Sequence, residues 1–246
     1  MCQTEPKGVT TMRTKIFFIT ACILASVLTI GSYPSNGDNT TIALAVKVIL
    51  DVSRKTTGVD WAKAKKGDIL YSGDEIRTGE RSIALVKFKD NSMLRVREKS
   101  ELKFYGEQKE GVFSKTVHIS RGEFSFDIQK QENERFTFSS PTSVAAIRGT
   151  QGDMHHLDNG DAVTVLDGIV NLLNVLSNTS VDVGAGETGF SGTDGSVSKR
   201  KSTTDEQHDA QNSIHSANGS GQEKLLQIEL RDAQGNKKLM KIRFRE

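Results

Sequence analysis

Cysteine is almost missing from this chain. Of 246 residues only Cys2 and Cys22 carry a thiol, so nothing after residue 22 can form a disulfide, a thiol nucleophile or a thiolate metal site. Proline occurs 3 times and tryptophan once, as Trp61, which leaves Phe, at 11, as the main large apolar residue. An excess of charge of one sign is lacking too. The net charge of +2 is too balanced for nucleic-acid binding by bulk electrostatics. The sequence holds no P-loop, no H-E-x-x-H and no G-x-S-x-G elbow. Catalysis therefore has no positive support, and no cofactor or metal is expected. Between residues 42 and 190 no stretch carries the 3.6-residue period over a useful helical length.

The N-terminus speaks to compartment. Met12-Arg13-Thr14-Lys15 is basic, Ile16 to Ile30 is apolar, and Gly31-Ser32-Tyr33-Pro34 is small and helix-breaking. That is the order of an export signal, and Met12 could equally be the true start. The apolar run is shorter than the roughly 20 residues of a membrane span, which favours a cleaved signal. An uncleaved anchor at Ile16 to Ile30 is the alternative. Ile19-Thr20-Ala21-Cys22 has the look of a lipoprotein box, but the apolar run continues past Cys22. An exported chain is expected, periplasmic or extracellular, or anchored to the inner membrane.

What is abundant is strand signal. In Ile83–Lys89, Met93–Arg97 and Glu101–Gly106, the residues Val86, Phe88, Leu94, Val96, Leu102 and Phe104 share one face at period two. Lys87, Lys89, Arg95, Arg97 and Lys103 fall on the other. Gly-Asp pairs at 67–68 and 73–74, and Asp158-Asn159-Gly160-Asp161, punctuate the runs as turns. Four segments follow. Residues 1–41 are the N-terminal extension with the export signal or anchor and a spacer, and 42–190 form one β domain. Residues 191–223, poor in aliphatics, read as a flexible linker, and 224–246 as a β-hairpin expected to dock on the domain or on a partner.

Four constellations invite a chemical reading. Gly184-Ala185-Gly186-Glu187-Thr188-Gly189 fits G-x-G-x-x-G, but the residues after Phe190 cannot make the helix that a pyrophosphate site needs, so a β-turn is expected. Asp153-Met154-His155-His156-Leu157-Asp158 sets two His among carboxylates. Neighbours on a strand point to opposite faces, so a polar strand end is a better reading than a metal site. The basic face of Lys87, Lys89, Arg95, Arg97 and Lys103 could meet an anionic polymer or lipid headgroups, although a solvated strand face is the plainer reading. Trp61 could anchor the loop from Asp60 to Gly67.

Six stretches together resemble the FecR-domain family. Leu70-Tyr71-Ser72-Gly73-Asp74-Glu75-Ile76-Arg77-Thr78-Gly79 is similar to its "GD-x-I-x-T-G" opening. Phe88-Lys89-Asp90-Asn91-Ser92-Met93-Leu94 resembles "F-x-D-G-S-x-L", with Asn91 in place of Gly. Ser120-Arg121-Gly122-Glu123-Phe124-Ser125-Phe126 resembles "G-x-F-x-F". Ser140-Pro141-Thr142-Ser143-Val144-Ala145-Ala146-Ile147-Arg148-Gly149-Thr150 resembles "T-P-x-A-x-x-x-x-R-G-T", and Val165–Val170, with Gly168, and Ala185-Gly186-Glu187 resemble the closing motifs. The resemblance implies an exported all-β domain of many short strands, β-solenoid or sandwich-like, with no catalytic residues to carry over. The implied structural signature is Gly73, Asp74, Thr78, Gly79, Asp90, Ser92, Gly122, Pro141, Arg148, Gly149, Thr150, Gly168 and Gly186. Within it, Pro141 should sit at a turn, Val144 to Ile147 in the core, Gly149 at a bend, and Arg148 against carbonyls or a carboxylate.

Well-known members of that family relay a receptor signal across a membrane to a sigma factor. The short segment ahead of Ile16 leaves no room for a sigma-factor-binding domain, so a stand-alone member is expected. The leading expectation is a non-catalytic exported module that binds or scaffolds an envelope protein or an anionic envelope polymer, and no nucleic acid. The alternatives are a membrane-anchored component of cell-surface signalling and, third, an exported metal-dependent hydrolase using the His155-His156 region.

Overall fold

The structure, a computed structural model, describes Met1, Gln3 and residues 40–130, 134–217, 223–231 and 237–245, from residue 215 onward as backbone alone. The expected export signal or anchor lies outside the described residues. Among those described, no helix is long and apolar enough to cross a membrane. Among the described residues, the strands and the helix belong to the unit Asp38–Glu246.

The chain order is β1 (Thr41–Ile49), β2 (Val52–Lys55), β3 (Ala62–Lys63), β4 (Ile69–Tyr71), β5 (Glu75–Thr78), β6 (Ile83–Phe88), β7 (Met93–Val96), β8 (Glu101–Lys109) and β9 (Val112–Ile128). There follow β10 (Glu134–Ser139), β11 (Ser143–Ile147), β12 (Thr150–Leu157), β13 (Gly160–Asp167), β14 (Ile169–Asn174), β15 (Ser180–Gly184), β16 (Glu187–Gly192) and β17 (Val197–Lys201). Helix α1 (Thr204–Ala217) comes next, and β18 (Glu223–Arg231) and β19 (Lys237–Arg245) close the chain as a separate two-stranded sheet.

Strands β1 to β17 make two layers. One runs β4-β1-β6-β7-β9-β12-β13-β16-β17. The other runs β3-β2-β5-β8-β9-β10-β11-β14-β15. All these pairings are antiparallel except β9 with β10. Strand β9 belongs to both layers: its first half pairs with β8 and β10, its second with β7 and β12. The passage is made at Gly122, whose φ of +87° suits glycine. A Cβ there would stand 2.6 Å from Ser100 Cα, so this motif glycine marks where one strand turns from one layer into the next. The expected all-β domain is thus a sandwich.

Alternation drives both layers. Val86, Phe88, Leu94, Val96, Leu102 and Phe104 are all buried, as period two predicts. The core lies between the layers, where phenylalanines interdigitate. Phe138 of β10 meets Phe124 and Phe126 of β9 at centroid distances of 4.7 and 4.8 Å, and Phe136 meets Phe88 of β6 edge-on at 4.9 Å. Edge-to-face packing of this kind adds about 1 kcal/mol per pair beyond area burial.

The structure corrects the expectation of a linker over 191–223. Ser191 and Gly192 end β16, β17 adds a strand beside it, and 204–217 form α1. Composition misleads here because neither element depends on a hydrophobic face of its own. Strand β17 is held by ladder hydrogen bonds to β16. Helix α1 starts with a capping box: Thr203 Oγ1 accepts from Glu206 N–H at 3.2 Å, and Glu206 Oε2 accepts from Thr203 N–H at 2.8 Å. It buries only Ala210, Ser213 and Ile214 among its described side chains. A second correction concerns Val144 to Ile147: Ala145 and Ile147 are buried, but Val144 is half-buried and Ala146 exposed, because the segment is an alternating strand rather than a core run.

Candidate functional site

The signature residues are spread along the sandwich as structural devices. Gly73 N–H bonds Phe104 O, and buried Asp74 accepts from Tyr71 N–H at 3.1 Å. Thr78 Oγ1 donates to Arg97 O at 2.5 Å and accepts from Ser100 N–H at 3.0 Å, while Gly79 N–H bonds Asp51 O. Ser92 Oγ accepts from Gln129 N–H, and Asp90 Oδ1 from Ser92 N–H. Pro141 is exposed in the β10–β11 turn. Thr150 Oγ1 bonds Ile169 O at 3.2 Å. Gly149 and Gly168 meet so closely that a Cβ on Gly168 would lie 2.5 Å from Gly149 O. Gly186 sits in the β15–β16 hairpin turn, so the G-x-G-x-x-G match opens a strand, not a helix. Arg148 departs from expectation: it is exposed and bonds no carbonyl or carboxylate among the described residues.

The five cations expected to share one face are divided. Lys87 and Arg95 point outward from the first layer, and Lys89 is exposed just past β6. Lys103 lies on the second layer, paired with Glu75 at 3.3 Å. Arg95 and Arg97 are covered by α1. The error has a simple cause: β7 and β8 alternate in phase, but they belong to different layers. Trp61 stacks under the Arg77 guanidinium, 4.2 Å from ring centroid to Cζ.

The densest polar constellation is the first layer's outer face beneath α1. The strand registers align Arg95, Ser125, Asp153, Thr164 and Thr188 across β7, β9, β12, β13 and β16. Beside that row lie Arg97, Glu123 and His155. Arg97 Nε donates to Glu123 Oε1 at 2.7 Å, and Nη1 to Asp209 Oδ2 of α1 at 2.5 Å. Arg97 Nη1 also stands 3.8 Å from Asp153 Oδ2. His155 donates from Nδ1 to Glu123 Oε2 and from Nε2 to Asp153 Oδ2, each at 2.6 Å. Burial pushes that imidazole down, but its two carboxylate partners outweigh burial and hold it up at about 10, so it is a cation at neutral pH. Glu123 is correspondingly low: burial raises it, and the hydrogen bond and charge of His155 and the charge of Arg97 lower it further than that.

The helix reaches this surface mainly through polar groups. Arg95 Nη1 donates to Ser213 O at 2.9 Å, and the Ser125 and Ser213 hydroxyls are 2.5 Å apart. Ser125 also donates to Asp153 at 2.8 Å. At the helix start Glu206 takes both Arg200 Nη groups at 2.6 and 2.8 Å, and that pairing, ahead of the opposing effect of burial, lowers its carboxyl to about 2. Next to these contacts is a cavity of about 360 Å³ lined by Asp153, His155, Ala162, Asp205, Glu206 and Asp209 among others.

Catalysis finds little footing here. Ser125 is bonded to a carboxylate rather than an imidazole, and both His155 N–H groups are committed, so no nucleophile–base pair exists in this cluster. Glu123, Asp153 and His155 place ligand atoms within 4.8 Å of one another and could hold a cation. To do so they would have to give up one imidazolium proton and the Arg97 pairing, which already balance their charge. His156 lies on the opposite face, with Nδ1 2.7 Å from Asp161 Oδ1. Asp161 in turn accepts from Ser140 and Ser143, which pins the β10–β11 turn. Sequence reading singled out Arg95, Arg97 and the His pair but missed Glu123, Ser125, Asp209 and Ser213. The usable signal was the T-x-x-E capping box at Thr203–Glu206.

Comparison with known proteins agrees with the motifs. A family model described as FecR protein matches residues 74–171, from the start of β5 into β14, so this stretch is a FecR-family region. No curated protein matches. Two crystal structures of proteins from Parabacteroides distasonis ATCC 8503, each described as a "putative anti-sigma factor", are similar at 17% identity with a TM-score of 0.45. The match covers 52% of this chain and 59% of theirs, so the chain spans little more than half the length of those structures.

Proposed function

We propose that this FecR-family chain is a non-catalytic binding module of the cell envelope, and that the face beneath α1 is where it engages a protein partner. The observation that carries the reading is the chemistry of α1's seat. Arg95, Arg97 and His155 face Glu123, Asp153 and Asp209 there, and of the helix's described residues only Ala210 and Ile214 bury apolar side chains. A helix held mainly by charge can be exchanged for another segment offering similar carboxylates, because ion pairs at a half-exposed surface each contribute little net free energy. Division of the cations between two layers speaks against an anionic polymer lying along one strip. The basic, apolar, then small-polar order of residues 12–34 supports export, with a cleaved signal favoured over an anchor.

The test is crosslinking and affinity capture from the envelope with the full chain and with Asp209→Lys, which should loosen α1. An altered set of captured proteins supports the reading, and identical or empty sets for both overturn it. A second reading, a component of cell-surface signalling, is favoured by the FecR-family match. It expects a transcriptional change on deletion of the gene, and an unchanged transcriptome would remove it. An exported metal-dependent hydrolase has the committed His155 against it. Metal analysis of the purified protein, with His156→Ala as comparison, decides that point.

A further inference from the structure

Lys115 is the one fully buried basic side chain among the described residues, at 1% exposure. It follows from strand parity: Lys115, Val117 and Ile119 share the inward face of β9. Its ammonium is enclosed by the rings of Phe88, Phe113 and Phe136, with centroids 6.0, 5.8 and 5.8 Å away. Two carboxylates reach it. Asp90 Oδ2 is 2.6 Å from Nζ, and Glu134 Oε2 is also in hydrogen-bond contact. The Asp90 side chain is itself nearly buried, at 4% exposure, whereas Glu134 is more open, at 29%. The other Asp90 oxygen, Oδ1, accepts the backbone N–H of Ser92 at 3.0 Å, in a turn where Asn91 takes a φ of +69°.

We propose that Lys115 and Asp90 are the partners of an intramolecular amide crosslink, with Glu134 as the proton relay. The amine and the carboxyl are held in contact, which replaces a bimolecular encounter by a positioned one. The aromatic enclosure excludes the water that would favour hydrolysis. The Ser92 N–H sits on the oxygen that keeps its bond to Cγ, where negative charge develops as the amine adds.

The resting state is the ion pair: burial raises the Asp90 carboxyl, but the hydrogen bond and charge of Lys115 lower it more. Reaction draws on the minor state in which Lys115 has passed one proton to Asp90 Oδ2, leaving a free amine beside a neutral acid, a form that burial favours although the pairing of the two charges outweighs it at rest. The Nζ lone pair then adds to Asp90 Cγ. Glu134 takes a second proton from Nζ and returns it to the Oδ2 hydroxyl. The Cγ–Oδ2 bond breaks, one water leaves, and the Nζ–Cγ amide remains. No oxidant, reductant or activated donor is needed.

Asp90 lies in the turn after β6, in the first layer, and Lys115 in the second-layer half of β9. The amide would join the two layers and close a chain loop, restricting the unfolded state as a disulfide does, in a domain whose sequence offers no cysteine after residue 22.

The test is tryptic digestion of the full-length, denatured protein with mass spectrometry. The expected product is a branched peptide joining Asp90–Arg95 to Glu110–Arg121, uncut after Lys115, with the summed mass less one water. Recovery of the two peptides separately, with normal cleavage after Lys115, overturns the proposal without any variant having to fold. A crosslink mapped to Glu134 in place of Asp90 also overturns it. Glu134→Gln, close in size to the native residue, should abolish the branched peptide. A branched peptide that persists in that variant overturns the relay.

Discussion

Two surfaces of the first layer face opposite ways and are held by opposite means. The inner one meets the second layer through rings. Phe124 and Phe126 press on Phe138, and Phe88 on Phe136, with side chains almost wholly removed from water. The outer one meets α1 through the Arg95 and Arg97 guanidinium groups and the Ser125 hydroxyl, beside the imidazolium of His155 that pairs Glu123 and Asp153 within the sheet. Burial of apolar area is indifferent to pH and poorly screened by salt, whereas the outer contacts depend on protonation and ionic strength. One protein thus contains a core that stays closed and a helix whose seat can be loosened by conditions that leave the core alone.

That contrast can be broken most severely from inside. Phe138→Ala removes the ring shared by both β9 phenylalanines and should lower unfolding stability by about 3–5 kcal/mol, read by denaturant titration. Next, Gly122→Ala puts a Cβ against Ser100 at a positive φ and should cost on the order of 1–3 kcal/mol, with loss of the β9 passage seen as faster amide exchange in both layers. On the outer face, Arg97→Ala should cost on the order of 1 kcal/mol, because its ion pairs lie at a half-exposed surface. The sharper readout is hydrogen exchange: α1 amides should lose protection while those of β10 do not. Equal loss in both would mean that the helix and core are one unit.

The same distinction carries a pH signature. His155 has its folded value raised from an ordinary 6.5 to about 10. Its contribution is therefore complete below the ordinary value and is lost as pH rises through about 10. Glu123, lowered in the fold, loses its contribution as pH falls through that lowered value. Limited proteolysis near α1 should accordingly increase above pH ~10 while the sandwich stays intact, and a flat profile would rule out control by His155. The smallest effect is expected at Lys103, whose partner Glu75 lies on a solvated strand face. Lys103→Ala should stay within about 0.5 kcal/mol of the parent in thermal denaturation.

Much of the architecture was legible before any coordinates. Val86, Phe88, Leu94 and Val96 showed their buried face by period alone, and Gly122 stood in a motif the resemblance marked as structural. The reading failed where an element took its stability from somewhere else. Residues 204–217 looked like linker because their composition offers almost no apolar face. Their helix is started by Thr203 and Glu206 and completed by groups more than a hundred residues away, such as Arg97 at Asp209. The supposed cationic face failed for a related reason: period two says which residues share a side of one strand, but not which sheet that strand joins.

Local sequence determined the strands, their turns, the inward or outward sense of each side chain and the family signature, because steric preference and alternation act between near neighbours in the chain. Only the tertiary structure decided which layer each strand entered, that α1 would rest on Arg95, Arg97 and Ser125, and that Lys115 would find Asp90 and Glu134. Those are contacts between residues far apart along the chain. Their strength comes from exclusion of water and the pairing of charge, which exist only once the layers have closed.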